Sequence, residues 1–322
     1  MVVTPVMNRD HGQVDLSQLR YVVEVADASS FTRAAERCFV TQSALSHQIA
    51  ALERELGHRL FVRSSRSVRL TEAGDAFVAR AREALRAVDS AKEDAAATAG
   101  DVVGTLRLGV IPTVTAIDLP QVLARFRRQH PSARVELRVG NSDALIADVR
   151  AGELDVALLG LREDSVPRGV AAREVGREAL VAALPRVHAL ADRADIALTD
   201  LAGMTFADFP AGTSGRAQSD GAFRAADVER DVAFEADSAE LILGLVGAEL
   251  AVSLLAPGVV AGWHGEVIAV PVSRGPIRVE YVAWDKDAPR SVARAFLRVV
   301  ETAVPTKEAG PGKIPDPPLS DA

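Results

Sequence analysis

Cysteine is almost absent: Cys38 is the only one in 322 residues. A single thiol excludes an internal disulfide framework and a multi-thiolate metal cluster. Cys38 can be a small core residue or a redox sensor, and the first is the plainer reading. The six His are scattered, with no HExxH or other metal-ligand spacing, so neither metal nor cofactor is expected. No Ser stands in a G-x-S-x-G elbow, and Gly244 and Gly247 are not followed by a dinucleotide fingerprint. Asp155, after Gly152-Glu-Leu, reads as a strand-start residue rather than a general base. Together these absences argue against an enzyme. No apolar run opens the chain, so no signal peptide is expected. The most apolar stretch, Leu241 to Trp263, is interrupted by Glu249, Pro257 and several Gly and does not suit a membrane span. A cytoplasmic protein with no membrane partner is expected.

The chain is long for one domain and suits two or three. Its 48% hydrophobic and 25% charged residues are ordinary for globular proteins. Residues 1–14 read as a flexible leader, and 304–322, rich in Pro and Gly, as a disordered tail.

The chemistry-bearing stretch is 29–74. Thr41 suits an N-cap for a helix from about Gln42 to Leu56, and Gly57 suits its stop. Leu45, Ile49, Leu52 and Leu56 form one apolar stripe. At about 100° per residue, Ser43, His47, Ala50 and Arg54 fall opposite, with Ser46 beside them. Small hydroxyls with a His and an Arg fit a helix lying close to base edges and phosphates. The preceding helix carries Ala34 and Ala35, small enough for close crossing, and Ser30 or Thr32 can cap it. A first helix, roughly Leu16 to Ala26, places Leu16, Leu19, Val22, Val23 and Ala26 inward. A three-helix packing module with a merely solvated face would show the same shape.

The residues after this helix favour DNA. Arg59-Leu-Phe-Val-Arg63 and Ser67-Val-Arg-Leu-Thr71 alternate like two strands around a Ser64-Ser65-Arg66 turn. Such a wing can set Arg63 or Arg66 against the duplex backbone or in a minor groove. Residues 29–70 hold seven Arg and three Glu, 7 − 3 = +4, within a chain of −7. A basic patch on an acidic protein points to a dedicated polyanion surface.

These residues resemble the LysR-type transcriptional regulator family. The matching stretches are 16–21, 30–36 (Ser-Phe-Thr-Arg-Ala-Ala-Glu), 41–49 (Thr-Gln-Ser-Ala-Leu-Ser-His-Gln-Ile), 52–57, 60–63 and 69–74 (Arg-Leu-Thr-Glu-Ala-Gly). His47 stands where the family often has Arg. The resemblance implies an N-terminal all-α winged helix-turn-helix domain at 15–73 and a linker and dimerisation helix at 74–99. It places a C-terminal α/β, two-lobed, periplasmic-binding-protein-like effector domain at 104–303. The DNA-binding residues are then expected at Ser30, Thr32, Arg33, Thr41, Gln42, Ser43, Ser46, His47, Arg54, Arg63 and Arg66.

Phe77, Ala81, Ala84, Val88, Ala91 and Ala95 are spaced alternately by four and three, a heptad seam suited to a second subunit or to the chain's own core. A dimer, or the tetramer the family usually forms, would present paired reading helices to two half-sites. From Thr105 the texture becomes alternating strands and helices, implying a largely parallel sheet. Lobe I is expected at 104–177 and 267–303 and lobe II at 178–266, with strands Val267–Val270 and Arg278–Ala283 returning to lobe I. Glu249 and Ala251 replace glycines that often flank a lobe II strand in the family. Ligands of open α/β sheets bind in the cleft, which places effector contacts at Thr113, Thr115, Asn141, Ser142, Thr213, Ser214 and Ser238, with Arg216 as an anion partner. The same Ser, Thr and Asn could simply cap helices. The expected function is sequence-specific, effector-modulated transcriptional regulation, with double-stranded DNA, a small effector, a second subunit and RNA polymerase as partners. The rival is a solute-binding protein that does not bind DNA.

Overall fold

A computed structural model describes residues 14–63, 67–98 and 101–303, and the side chain of Arg63 is not among them. Leader residues 1–13, the turn Ser64-Ser65-Arg66 and the tail 304–322 therefore lie outside the described residues. The chain divides into one compact unit up to Ala95 and a second from Ala96.

The first unit contains α1 (Leu16–Ala28), α2 (Phe31–Arg37), α3 (Gln42–Leu56), β1 (Phe61–Arg63), β2 (Val68–Leu70) and α4 (Glu72–Thr98). Asp15 starts α1 with a capping box, its Oδ1 accepting from the Gln18 N–H at 2.8 Å. The inward face of α1 differs from the sequence expectation. Val25 and Ala28 join Val22 in the core, Leu16 is 47% exposed, and Val23 is only half-buried. Gln18 lies on the inward face with them, donating through Nε2 to Gln48 Oε1 of α3 at 3.4 Å. Phe31, Ala34 and Ala35 of α2 and Leu45, Ile49 and Leu52 of α3 complete the core. The hairpin pairs Phe61 with Leu70 and Arg63 with Val68. Glu53 of α3 ties it down, one carboxylate oxygen accepting from Leu60 N–H at 2.8 Å and Phe61 N–H at 3.2 Å. Only glycine fits at 74, where a Cβ would collide with the Leu60 carbonyl oxygen.

The expected seam on α4 divides. Ala81 is buried and Phe77 half-buried, beside Val78, within their own unit, whereas Ala84 and Ala91 are exposed and Val88 half-exposed. The local core claims the first three turns, where Gly74 lets α4 approach the hairpin closely.

The second unit holds β3 (Gly104–Val110), α5 (Leu119–Gln129), β4 (Ala133–Val139), α6 (Ser142–Arg150), β5 (Val156–Arg162), β6 (Ala171–Ala179) and β7 (Val181–Pro185). It continues with β8 (Thr205–Asp208), α7 (Ser214–Ala225), β9 (Asp231–Glu235), α8 (Ala239–Gly247), β10 (Ser253–Leu255), α9 (Pro257–Ala261), β11 (Val267–Pro271), β12 (Ile277–Trp284) and α10 (Ser291–Ala303). Lobe I is one sheet in the order β4-β3-β5-β12-β6. Its first three strands are parallel and β12 runs antiparallel to both neighbours. Phe126 of α5 and Phe296 of α10 meet edge to face at 5.7 Å in its core. Lobe II combines the antiparallel set β10-β7-β11 with the parallel pair β8-β9.

One lobe assignment is corrected. Strand β11 does not return to lobe I; it pairs antiparallel with β7 from Val267↔Pro185 to Pro271↔Val181, so only β12 crosses back. Strand β6 belongs wholly to lobe I, as the edge partner of β12. An apolar strand can pair with any exposed edge, so its sequence does not name its sheet. The two crossings, after Ala179 and before Ile277, lie side by side, with the Leu180 N–H donating to Pro276 O at 2.9 Å.

Helices α2, α7 and α8 end in one closure. The Val40 N–H bonds Ala35 O, Val228 bonds Phe223 O, and Leu250 bonds Leu245 O, each leaving the preceding residue left-handed. Those residues are Phe39, Asp227 and Glu249, at φ 56, 54 and 62°. Glycine is usual there, and Asp tolerates the conformation better than Phe or Glu.

Candidate DNA-reading helix and effector cavity

Helix α3 is delimited as its sequence dictates. Thr41 Oγ1 accepts from the Ala44 N–H at 3.2 Å and Gly57 closes it at φ 69°. With Leu45, Ile49 and Leu52 buried, Gln42, Ser43, His47 and Arg54 are exposed and Ser46 half-buried. Thr41 Oγ1 and Ser43 Oγ lie 3.1 Å apart, a small hydroxyl cluster at the helix start. Arg54 Nε donates to Ala50 O at 3.2 Å, and the residue as a whole is exposed. Ser30 caps α2 by accepting from the Arg33 N–H at 3.4 Å, and Thr32 is exposed. The Arg33 guanidinium is turned back onto Ala28 O. Arg66 lies outside the described residues. Cys38, half-buried at the α2 terminus, packs against the core; burial, with Glu24 second, pushes its thiol above the ordinary value. That suits a packing role better than a reactive thiolate.

In the second unit a cavity of about 320 Å³ opens between the lobes. Lobe I contributes Thr113 after β3, Asn141 and Ser142 at the start of α6, Gly160 of β5 and Arg278 of β12. Lobe II contributes Phe209, Thr213, Gln218, Asp237 and Leu255. Of the sequence-expected contacts, Thr113, Asn141, Ser142 and Thr213 line this cavity and Thr115, Ser214 and Ser238 do not. The Thr115 hydroxyl sits 2.6 Å from Glu178 Oε1 and 2.8 Å from Glu280 Oε1. Ser214 spans the lobes outside the cavity, its Oγ donating to Asp143 Oδ2 at 2.6 Å. Ser238 accepts from the Leu241 N–H at 3.3 Å as the cap of α8, leaving its neighbour Asp237 at the wall. Arg216 is occupied by Glu235 at 2.8 Å and Asp220 at 3.0 Å and is not an anion partner in the cleft.

Several lining groups are closed on themselves. Ser142 Oγ accepts from the Gly160 N–H at 3.0 Å and donates to Gly160 O at 3.1 Å. Thr213 Oγ1 accepts from the Arg216 N–H and donates to Pro210 O at 2.8 Å. Gln218 Nε2 donates to Gly160 O at 3.3 Å. Sequence reasoning does not reach Arg278. Its guanidinium is buried, with Nη1 donating to Thr113 Oγ1 at 2.6 Å and Nη2 pairing with Glu280 and, at 3.0 Å, with Glu178. Its Nε is buried without a partner and so remains a donor. Glu280 also accepts from the Thr115 and Ala116 N–H groups. A sequence signal exists: Arg278 and Glu280 occupy one face of an otherwise apolar strand, where charges stay only if paired. The cavity thus joins apolar walls to a few fixed polar groups, the usual make-up of a small-molecule site. Among the described residues no group of three or more His, Cys, Asp or Glu could hold a metal, and no helix is long and apolar enough to cross a membrane.

A helix-turn-helix unit with a wing, in one chain with a two-lobed ligand-binding domain, defines a ligand-responsive DNA-binding protein. The family model for the bacterial regulatory helix-turn-helix protein, lysR family, matches residues 16–75, and that for the LysR substrate binding domain matches 99–305. The chain belongs to the LysR family of transcriptional regulators. It is 33% identical over 292 residues to the uncharacterized HTH-type transcriptional regulator YnfL of Escherichia coli K12, covering 89% of this chain and 97% of that one. A full-length cysteine-to-aspartate variant of OxyR from Pseudomonas aeruginosa superposes with a TM-score of 0.70 at 27% identity, covering 92% and 99%. Full-length CbnR in complex with its target DNA gives a TM-score of 0.68 at 26% identity, covering 90% and 100%. The protein is accordingly a DNA-binding transcriptional regulator with an effector-binding domain, rather than a solute-binding protein that lacks DNA recognition. Its family comprises regulators, not enzymes.

Proposed function

We propose that this regulator works as a dimer or tetramer in the cytoplasm, reading its operator through α3 and answering a small effector held between the lobes of the second unit. The observation that carries the reading is the exposed face of α3, where Gln42, Ser43 and His47 stand free of the core beside Arg54. On this reading Ser43, Ser46 and His47 face base edges, Thr41, Gln42, Arg33 and Arg54 steady the helix on the backbone, and Arg63 and Arg66 serve the wing. Ser30 and Thr32 support the start of α2 against the same backbone.

The effector is a small, largely apolar molecule carrying a hydrogen-bond acceptor. Arg278 Nε and the Thr113 hydroxyl meet that acceptor, while Phe209 and Leu255 cover its body. Arg278 already faces two carboxylates, so the site favours an uncharged acceptor over a free carboxylate. Binding redistributes the protein between two arrangements only as far as the effector's affinities for them differ. The change alters operator geometry and contact with RNA polymerase. A single cysteine leaves no internal disulfide as the switch.

The test is binding of full-length protein to its own promoter fragment and to random duplex at moderate ionic strength, with and without a metabolite panel. Preference for the promoter, changed by a metabolite that also raises the melting temperature, supports the proposal. Equal affinity for both duplexes under every condition overturns it.

A further inference from the structure

Phe39 is 95% exposed and left-handed at φ 56°. Both features oppose folding: an aromatic ring stays in water, and the backbone adopts a conformation that L residues other than Asn and Asp rarely take. The surrounding closure is regular, with Phe39 N–H donating to Glu36 O at 3.2 Å and Val40 N–H to Ala35 O at 3.0 Å. The turn itself therefore asks only for glycine or a small polar residue. At the equivalent step after α7 the residue is Asp227. Within its own unit the Phe39 ring covers nothing, so packing in the first unit does not explain it.

Its position does. Phe39 comes two residues before Thr41, the cap of the reading helix, and Thr41, Gln42 and Ser43 are exposed at that end. The N-terminal end of a reading helix is the end that meets base edges. The surrounding segment, residues 29–70, carries a net +4. The apolar parts of a duplex within reach of such a residue are deoxyribose rings and thymine methyl groups.

We propose that Phe39 is an uncharged DNA contact: its ring packs on the duplex at the edge of the groove that α3 enters, and this contact accounts for a residue the fold itself disfavours. The inference rests on α3 being the reading helix. Other exposed apolar residues of this unit do not make the same case, because Val62 and Leu16 sit in ordinary strand and helix backbone.

The experiment compares full-length wild type with Phe39→Asn, Phe39→Gly and Phe39→Tyr in promoter binding across a salt series, thermal unfolding and sedimentation. Phe39→Asn and Phe39→Gly are expected to melt no lower than wild type, and up to about 4 °C higher. They should nonetheless bind the promoter about tenfold more weakly, through loss of a buried aromatic contact. The slope of log affinity against log salt should not change, because an uncharged ring neutralises no phosphate and so displaces no condensed counterion. Phe39→Tyr should stay within about twofold of wild type. Asn and Gly variants that bind within twofold of wild type overturn the proposal. So does a loss accompanied by a lower melting temperature, a shallower salt slope or dissociation of the oligomer, the last assigning Phe39 to a contact between copies. If wild type itself shows no promoter preference, the reading-helix assignment fails instead.

Discussion

Arg278 Nη1 donates to Thr113 Oγ1 at 2.6 Å, joining β12 to the turn after β3 at the floor of the cavity. Replacing Thr113 by Val keeps the shape and removes the acceptor, leaving a buried donor unmatched. We expect about 1–3 kcal/mol lower stability of the second unit and loss of the melting shift produced by any metabolite that stabilises wild type. Arg278→Met goes further by leaving Glu280 and Glu178 without a counter-charge, at a cost of about 3–5 kcal/mol. Denaturant unfolding of the two variants tests the order; a Thr113→Val protein that still responds fully removes Thr113 from the site.

Glu249 is exposed and left-handed after α8. Glu249→Gly relieves that conformation and retains the Leu250 to Leu245 closure. A gain of about 0.5–1 kcal/mol is expected in chemical denaturation. A loss would mean that the Glu249 side chain supports lobe II.

Acid should loosen lobe II. Burial alone would raise the Asp220 pKa, but hydrogen bonds and charge from Arg230 and Arg216 outweigh it and hold it below the ordinary value. A depressed folded pKa stabilises above the unfolded value, about 4, and that stabilisation is lost as pH falls through the folded value. Asp208 is shifted the other way, raised by burial despite Arg230. Melting temperature tracked from pH 5 downward should therefore fall less in Asp220→Asn than in wild type. Parallel curves would exclude Asp220 as a source of acid sensitivity.

Within the DNA-reading surface, charge and shape should separate. Arg66→Ala or Arg54→Ala should weaken all duplexes similarly and lower the salt slope by about one phosphate each. Ser43→Ala and His47→Ala should instead change which operator variants bind best, by about 1–3 kcal/mol at one position. Competition against a randomised duplex pool reads both, and uniform losses for all four variants would refute the division.

The exposed stretch of α4 needs a partner if the heptad seam holds subunits together. Val88→Glu, placed between exposed Ala84 and Ala91, should raise the dimer dissociation constant at least tenfold in sedimentation equilibrium. An unchanged dimer would shift the interface elsewhere.

Local chemistry is legible in the sequence and distant pairing is not. The caps of α3, the alternation in the hairpin and the small residues of α2 depend on neighbours within a few positions, and each lies where its pattern points. The face of α1 escapes periodicity because a polar residue, Gln18, stands on it, and its partner Gln48 is thirty positions away. Arg278 escapes it for a like reason: its partner Thr113 is 165 positions distant. Thr113, Asn141, Ser142 and Thr213 reach the cavity because they begin or precede elements whose ends converge there. Thr115, Ser214 and Ser238 share that placement but are drawn aside by Glu280, Asp143 and the α8 backbone.

The backbone hydrogen bond from Leu180 N–H to Pro276 O fastens the two chain crossings of the second unit to each other. The two connections between the lobes are thus neighbours rather than separate tethers, like the spine of a book. A molecule gripped by both lobes would therefore be expected to act through these neighbouring crossings, the places where the chain itself passes from one lobe to the other.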